Sequence, residues 1–382
     1  MIYYGHQHIT NEDIEAVREV LTSDFLTQGP AIERFERSVA GYCGAAYAVA
    51  VTNATAALHI ACQAAGLGKG DVLWTSPITF VASANCARYC GADVDFVDID
   101  DATYNMSVDA LEEKLRTAEK LPKIVVPVHL AGQSCAMQRI WELSRAYGFT
   151  VIEDASHAVG GTYQEDKVGS CAYSDMTVFS FHPVKIVTTG EGGMVLTNRQ
   201  ELCDELQLYR SHGITRSPQR MTRPADGPWY YEQIALGHNY RMTDMQAALG
   251  TSQMEKLDAF VARRRQLVAR YNEKLKGLPL RTPYCAPEAD PSWHIYIARL
   301  DLDRVKKSKQ EIFEEMHRRG IMLNLHYIPV HLQPYYRALG FTDGDFPVSE
   351  QYYREALTLP LYYDLTDAQQ DTVIAALREV LG

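Results

Sequence analysis

The chain has 382 residues, of which 46% are hydrophobic and 22% charged, as in a globular protein with room for roughly two or three domains. Its formal net charge of -11 disfavours a surface for nucleic acid or anionic membranes, since both need a basic face. The sequence has no apolar run near the roughly 18 residues of a membrane span and no signal-peptide pattern.

The eight cysteines form no Cys-x-x-Cys pair, and most of them lie in apolar segments typical of small core residues. Cys86 and Cys90 are one helical turn apart but have no further metal-ligand partner nearby in sequence. We therefore expect no metal site. Free thiols indicate a reducing compartment, so a cytoplasmic location is expected.

The first two hundred residues alternate between short β-branched runs and longer helical segments. Strands are predicted at 47–51, 72–74, 94–97, 124–128 and 150–154, and helices at 55–65, 80–89, 108–118 and 137–147. Such βαβ units predict an α/β fold with a mostly parallel sheet between helices. Ligands in these folds bind at the carboxyl ends of the strands.

The pattern changes near residue 244. A long helix is predicted at 245–271, then a strand at 295–300, a helix at 308–319, a strand at 321–326 and a final helix at 367–381. This region is expected to form a smaller C-terminal α/β domain. The predicted division is a large domain over residues 1–250 and a small domain over 251–382.

Lys185 lies between two predicted strands, at 176–181 and 194–197, and is followed by a Thr-Thr-Gly-Glu-Gly-Gly turn at 188–193. A lysine in this position is expected to be buried. Burial lowers the pKa of a lysine and makes its amine nucleophilic, as Schiff-base chemistry requires. The alternative is a lysine that extends from a strand end into solvent.

Two other segments place polar groups at strand ends. Thr55 is a candidate N-cap of the first helix, and such a helix start is either an anion site or an ordinary cap. Asp154 ends a strand and could serve as a metal ligand, a general base or an ionic partner of a protonated heterocycle. Glu153 alternates to the opposite face of that strand. His157 could share the Asp154 site or cap the turn.

Phe80 follows a Pro-Ile-Thr segment at the start of a predicted helix. An aromatic residue there packs in the core or stacks on a flat ligand, and core packing is the commoner role. Four of these residues, one from each segment, occur along the chain in the order Thr55, Phe80, Asp154 and Lys185.

This order resembles that of fold-type I pyridoxal-phosphate aminotransferases. The chain is similar to the sugar aminotransferases of the DegT/DnrJ/EryC1/StrS family, with matching motifs from residues 26–30 to 326–327. The resemblance implies a fold-type I architecture and pyridoxal 5'-phosphate as cofactor. It also implies that a nucleotide-linked keto sugar receives an amino group.

The resemblance implies that Lys185 is the catalytic lysine, which binds the cofactor covalently and moves a proton. Asn239 matches a residue that crosses a dimer interface, which implies a homodimer with shared active sites. The implied cofactor-binding residues are Thr55, Ala56 through its N–H, Phe80, Asp154, His157, Ser180, Lys185 and Asn239. The implied substrate-binding residues are Tyr4, Phe25, Leu26, Thr27, Arg241, His326 and Tyr327.

Motifs at residues 23–30 and 324–331 most resemble the family members of the pseudaminic acid pathway. They imply transfer of an amino group from L-glutamate to carbon 4 of a UDP-linked 4-keto-6-deoxy-N-acetylhexosamine. The alternative within the family is another nucleotide-linked keto sugar, from a bacillosamine, legionaminic acid or dTDP-sugar pathway.

Three further alternatives have different chemistry. A sugar dehydratase on this scaffold carries histidine in place of the lysine, whereas Lys185 is present here. A nicotinamide-dependent oxidoreductase is expected to carry Gly-x-Gly-x-x-Gly at the first strand–helix turn, where this chain has Thr-Asn-Ala-Thr-Ala-Ala. A non-catalytic binding protein is disfavoured by the complete set of Thr55, Asp154, Ser180 and Lys185.

Overall fold

The computed structural model describes residues 1–382. Its α-helices are α1 (Asn11–Leu21), α2 (Pro30–Cys43), α3 (Ala54–Ala64), α4 (Ala82–Tyr89), α5 (Val108–Thr117), α6 (Met137–Tyr147), α7 (Gln200–Arg210), α8 (Asp244–Met254), α9 (Leu257–Lys274), α10 (Lys309–Arg318), α11 (Pro334–Arg337), α12 (Pro347–Glu355) and α13 (Asp367–Leu381). None of the helices combines the length and the apolar character needed to span a bilayer.

The strands form one large sheet and three small ones. They are β1 (Tyr47–Val51), β2 (Val72–Thr75), β3 (Asp93–Phe96), β4 (Ile124–Val126), β5 (Thr150–Asp154), β6 (Thr162–Tyr163), β7 (Asp166–Lys167), β8 (Met176–Ser180), β9 (Gly193–Thr197), β10 (Ile214–Thr215), β11 (Glu232–Gln233), β12 (Leu280–Arg281), β13 (Ala289–Asp290), β14 (Tyr296–Leu300) and β15 (Ala356–Leu359).

The seven-stranded sheet has the order β1-β9-β8-β5-β4-β2-β3. Strand β9 runs antiparallel to both of its neighbours, β1 and β8. The pairs from β8 to β3 are all parallel. The predicted α/β fold with a mostly parallel sheet is therefore confirmed. One face packs against α3, α4 and α7, whereas helices α2 and α8 cover part of the other face.

A separate core lies in the C-terminal region. Strands β14 and β15 pair there, and their apolar side chains pack against α10, α13 and the second half of α9. The first half of α9 belongs instead to the core under the large sheet. Because α9 contributes to both cores, the division at residue 250 stays a prediction.

The predicted helix over 245–271 is wrong, because the structure has two helices, α8 and α9. Between them, Lys256 donates its backbone N–H to the Gln253 carbonyl, three residues earlier. Its ammonium group lies 2.7 Å from the buried Asp13 carboxylate. The ion pair lies at the break, on either side of which α8 packs on α1 and α2 and α9 reaches the C-terminal core.

The predicted strand over 321–326 is also wrong. Ile321 makes an isolated bridge to Ile2, and Asn324 makes one to Thr358. Since the two bridges have different partners, no continuous ladder forms. The segment instead carries residues 324–327 to the wall of a cleft beside the sheet.

Candidate active site

A cleft of about 640 Å³ lies at the carboxyl ends of the parallel strands, within the size range of small-molecule sites. The structure brings nine of the predicted site residues together in its wall: Tyr4, Thr55, Phe80, Asp154, His157, Ser180, Lys185, His326 and Tyr327. The prediction did not include nine other polar or small residues of the wall: Asn53, Ala54, Thr79, Ala82, Ser156, His182, Glu191, His294 and Asn324.

Lys185 follows β8 and precedes a turn in which Gly190 has φ +80°. Its side chain is partly buried and has no hydrogen-bond partner in the chain. Burial lowers the pKa of Lys185 to about 7, although the negative charge of Asp154 opposes this shift. A large share of this amine is therefore neutral and nucleophilic near neutral pH.

Asp154 is the last residue of β5 and is buried. Its Oδ1 accepts a hydrogen bond from the Ser156 N–H (3.1 Å), and its Oδ2 accepts one from the Ser83 hydroxyl (2.6 Å). The preceding Glu153 lies on the opposite face of the strand, where it contacts His129 Nε2 at 2.6 Å. The predicted alternation of the two carboxylates is confirmed, and Asp154 alone faces the cleft.

The start of α3 differs from the prediction in two respects. The N-cap is Asn53 and not Thr55, since the Asn53 Oδ1 accepts the Ala56 N–H at 2.8 Å. That bond also occupies the Ala56 N–H, which was expected to be free for a ligand. The N–H groups of Ala54 and Thr55 have no acceptor within the helix.

These free N–H groups lie beside two hydroxyl groups, those of Thr55 and Ser180, in the wall of the cleft. Neither hydroxyl has a hydrogen-bond partner in the chain. Free amides at a helix start, together with the helix dipole, favour bound anions such as phosphate. This corner of the cleft, formed by Ala54, Thr55 and Ser180, can therefore hold an anion, and we call it the anion corner.

His157 has a defined tautomer. Its Nδ1 accepts a hydrogen bond from the Ala131 N–H (3.3 Å), so the ring proton is on Nε2, which lies 3.1 Å from the Tyr327 hydroxyl. Burial, with smaller contributions from the charges of Lys185 and His326, holds the pKa of His157 well below its usual range. The ring is neutral, and its Nε2–H donates to the Tyr327 hydroxyl at the wall of the cleft.

Aromatic side chains shape the rest of the wall. The Phe80 ring is 58% exposed and lies 6.1 Å from the Tyr327 ring. On the other side, the Tyr4 ring lies 5.3 Å from the His326 ring. Because Phe80 is exposed to the cleft and not packed in the core, it is available to stack on a flat ligand.

His294 is a buried residue of the wall that the sequence did not reveal. Its ring lies 4.6 Å from that of His157, and its Nδ1 is buried without a hydrogen-bond partner. Burial lowers its pKa well below the usual range, so a second neutral imidazole stands beside His157. The only signal in the sequence is a Trp-His pair before a predicted strand.

The structure places the other predicted residues outside this cleft. Ala56 is buried inside α3, and the exposed turn of Phe25, Leu26 and Thr27 lies next to the start of α8 through a bridge between Thr27 and Thr243. Arg241 lines a separate pocket of about 260 Å³ together with Gln28 and Gly29.

Asn239 is exposed, and its side chain makes no hydrogen bond within the chain. The N-cap of α8 is Thr243, whose hydroxyl accepts the Gln246 N–H. Asn239 therefore does not cap its own helix. We call the turn at 25–27, Asn239 and Arg241 the outer surface.

No group of three or more histidine, cysteine, aspartate or glutamate side chains is arranged to hold a metal ion. The polar groups of the cleft include instead the Lys185 amine, the carboxylates of Asp154 and Glu191, an anion corner and neutral imidazoles. This set suits an organic cofactor that carries a carbonyl group and a phosphate.

A family model, described as the DegT/DnrJ/EryC1/StrS aminotransferase family, matches residues 7–378. SpsC of Bacillus subtilis, a spore coat polysaccharide biosynthesis protein, is 38% identical over 381 residues, which cover 99% of this chain and 96% of SpsC. GDP-perosamine synthase of Caulobacter vibrioides is 38% identical over 355 residues, which cover 92% of this chain and 91% of that enzyme.

Two solved structures show the same fold along the chain. PseC of Helicobacter pylori, an aminotransferase involved in the biosynthesis of pseudoaminic acid, has a TM-score of 0.92 at 29% identity and covers 100% of this chain and 99% of its own. The PLP-form of Spr1654 from Streptococcus pneumoniae has a TM-score of 0.88 at 29% identity, with 99% of both chains covered.

Proposed function

Because the chain belongs to the DegT/DnrJ/EryC1/StrS aminotransferase family, we propose that it aminates carbon 4 of a UDP-linked 4-keto-6-deoxy-N-acetylhexosamine, with L-glutamate as donor. The chain is a sugar aminotransferase that uses pyridoxal phosphate. The observation that carries the proposal is the neutral amine of Lys185, which shares one cleft with Asp154 and with the anion corner.

The residues of the cleft fit this cofactor. The anion corner of Ala54, Thr55 and Ser180 suits its phosphate group, Phe80 suits its flat ring, and the Asp154 carboxylate suits a protonated ring nitrogen. When bound, pyridoxal phosphate supplies an aldehyde that accepts amino groups and a ring that withdraws electrons.

Lys185 performs the proton transfers in this proposal. About half of its Nζ is neutral at pH 7, and the neutral form can accept a proton from a substrate carbon and return it to a neighbouring atom. The Asp154 carboxylate would accept a hydrogen bond from a protonated ring nitrogen of the cofactor and keep that proton in place. His157, whose Nε2–H lies beside the Tyr327 hydroxyl, would help to fix the orientation of the cofactor ring.

The choice of sugar is supported by the similarity to PseC. Tyr4, His326 and Tyr327 line the wall of the cleft and are the proposed sugar contacts. The similarity to GDP-perosamine synthase keeps other nucleotide-linked keto sugars as the alternative. Membership of the family excludes the nicotinamide-dependent alternative. The presence of Thr55, Asp154, Ser180 and Lys185 in one cleft disfavours the non-catalytic alternative.

The outer surface supports a homodimer with shared active sites. Asn239 and Arg241 lie outside the cleft of their own chain, and Asn239 has no partner within it. In a two-fold dimer, each chain can offer the same groups to the other. We propose that Asn239 donates to the cofactor phosphate in the partner subunit and that Arg241 and the 25–27 turn contact the substrate there.

The assay that tests this function offers UDP-, GDP- and dTDP-linked 4-keto-6-deoxy sugars, each with L-glutamate, to the purified enzyme. The products are identified by NMR. The proposal expects a 4-amino sugar from the UDP-linked N-acetylhexosamine and much slower reaction of the others. Faster amination of a GDP- or dTDP-linked sugar would overturn the proposed substrate, whereas no amination of any sugar would contradict the aminotransferase activity.

A further inference from the structure

A buried serine on α4 contacts the carboxylate that faces the cleft. Ser83 has no exposed surface, and its hydroxyl lies 2.6 Å from Asp154 Oδ2. The two residues are 71 positions apart in sequence. No side-chain hydrogen bond other than this one reaches either oxygen of the Asp154 carboxylate.

The direction of this hydrogen bond follows from the neighbours of Ser83. Its hydroxyl carries one proton, and the competing acceptor, the Phe80 carbonyl, is farther away at 3.3 Å. The Asp154 carboxylate is the closer acceptor, and a carboxylate is a stronger acceptor than a carbonyl. Ser83 therefore donates to Asp154.

Thr79 completes the chain of hydrogen bonds. Its Oγ1 lies 2.7 Å from the Ser83 Oγ, and both side chains are buried. Because the proton of Ser83 points at Asp154, Thr79 must donate to Ser83. The order of donors is Thr79, then Ser83, then Asp154, and bonds of this kind strengthen one another in a buried setting.

The consequence for Asp154 is a fixed orientation. Ser83 holds Oδ2, while the Ser156 N–H holds Oδ1. Each carboxylate oxygen can accept more than one hydrogen bond, so acceptor capacity remains towards the cleft. Asp154 is thereby held in place before any ligand binds, which reduces the ordering that binding requires.

We propose that Ser83 is a positioning residue that aims the Asp154 carboxylate at the ring nitrogen of pyridoxal phosphate, and that Thr79 orients the Ser83 hydroxyl. This inference rests on the proposed role of Asp154. Ser83 itself does not line the cleft, so it would act only through Asp154.

The test measures the dissociation constant of pyridoxal phosphate for the cofactor-free enzyme by fluorescence titration up to millimolar concentration. Ser83→Ala is expected to weaken binding about tenfold, because it removes a hydrogen bond to a charged group. Thr79→Val should have a smaller effect in the same direction, and Thr79→Ser, which keeps the hydroxyl, should bind like wild type.

Ser144→Ala is the matched control. Ser144 is also buried on a helix, but its hydroxyl donates to the Trp141 carbonyl (2.7 Å) and not to a carboxylate. This variant should leave the cofactor dissociation constant unchanged. Thermal midpoints of all variants are recorded, so that weakened binding is compared only among folded proteins.

The decisive comparison places Ser83→Ala in an Asp154→Asn background. If Ser83 acts through the carboxylate, Ser83→Ala changes the cofactor dissociation constant by less than about twofold in the Asp154→Asn background, since the two losses are not additive. An equal effect in both backgrounds, or no effect of Ser83→Ala alone, overturns the inference while leaving the role of Asp154 intact. Wild-type affinity in Asp154→Asn itself would overturn the role of Asp154 and, with it, this inference.

Discussion

The Ala131 N–H donates to His157 Nδ1 at 3.3 Å, and this contact determines which nitrogen of the histidine carries the proton. Ala131 lies within the short 3-10 turn Leu130–Gly132 and has φ +60°. The histidine is consequently a neutral donor through Nε2.

A side-chain amide can make the same donation, so we expect His157→Gln to retain activity within about fivefold of wild type. His157→Phe keeps a ring but has no donor, and it should lose about tenfold or more in kcat/KM. Steady-state kinetics of the two variants decide this. Equal losses of kcat/KM in both variants would mean that the imidazole has a role beyond donating one hydrogen bond.

Burial lowers the pKa of Lys185 to about 7, although the charge of Asp154 opposes this shift. The rate of cofactor attachment should therefore depend on pH. The neutral amine fraction rises from about one tenth at pH 6 to about nine tenths at pH 8. The rate at which the cofactor-free enzyme attaches pyridoxal phosphate should rise over this range and then level off, as followed by absorbance near 420 nm, roughly the range of bound cofactor. A rate that keeps rising beyond pH 9 would indicate an ordinary lysine.

Asp154→Asn tests whether charge or only shape matters at that position. An amide fits the same space but cannot hold a protonated ring nitrogen by charge, and a charge-assisted hydrogen bond is worth about 1.5–3 kcal/mol. Cofactor affinity and kcat should both fall by tenfold or more. Full activity in Asp154→Asn would assign the residue a structural role.

The shared-site dimer is tested by mixing two impaired enzymes, Asn239→Ala and Lys185→Ala, after mild denaturation and renaturation. In a heterodimer, one site carries both defects and the other draws on intact groups only. Each heterodimer should recover up to about half of the activity of a wild-type dimer, from the two-fold symmetry of the interface. If heterodimers are confirmed by mass and show no recovery of activity, Asn239 and Lys185 of one chain serve the same active site, and the shared-site dimer is contradicted.

The sequence predicted the parts of the fold that depend on local patterns. Alternating β-branched runs and helices revealed the parallel sheet, and the strand–lysine–glycine pattern singled out Lys185. The alternation of Glu153 and Asp154 on opposite faces also followed from the strand period alone. Each of these features depends on residues close together in sequence.

Features that depend on distant partners could not be predicted. Asn53 and Thr55 are both good N-cap residues, and only the hydrogen bond to Ala56 shows which one is used. The segment 321–326 has the apolar content of a strand, but its neighbours Ile2 and Thr358 belong to separate parts of the chain.

Ser83 is the clearest case within the site. A serine inside a helix is an uninformative residue until its acceptor is known, and that acceptor is 71 positions away. His294 was missed for the same reason, since it reaches His157 only through the folding of the C-terminal region against the large sheet.

The central claim is that Lys185 is the amine on which transamination depends. The most direct measurement is single-turnover formation of the amino sugar by Lys185→Ala, with cofactor and glutamate supplied. The neighbouring His182, which also lines the cleft, is the nearest alternative base in sequence, and a His182→Ala variant serves as the comparison. We predict no detectable amino sugar from Lys185→Ala, since no other primary amine lines the cleft. Formation at a near wild-type rate would contradict the assignment.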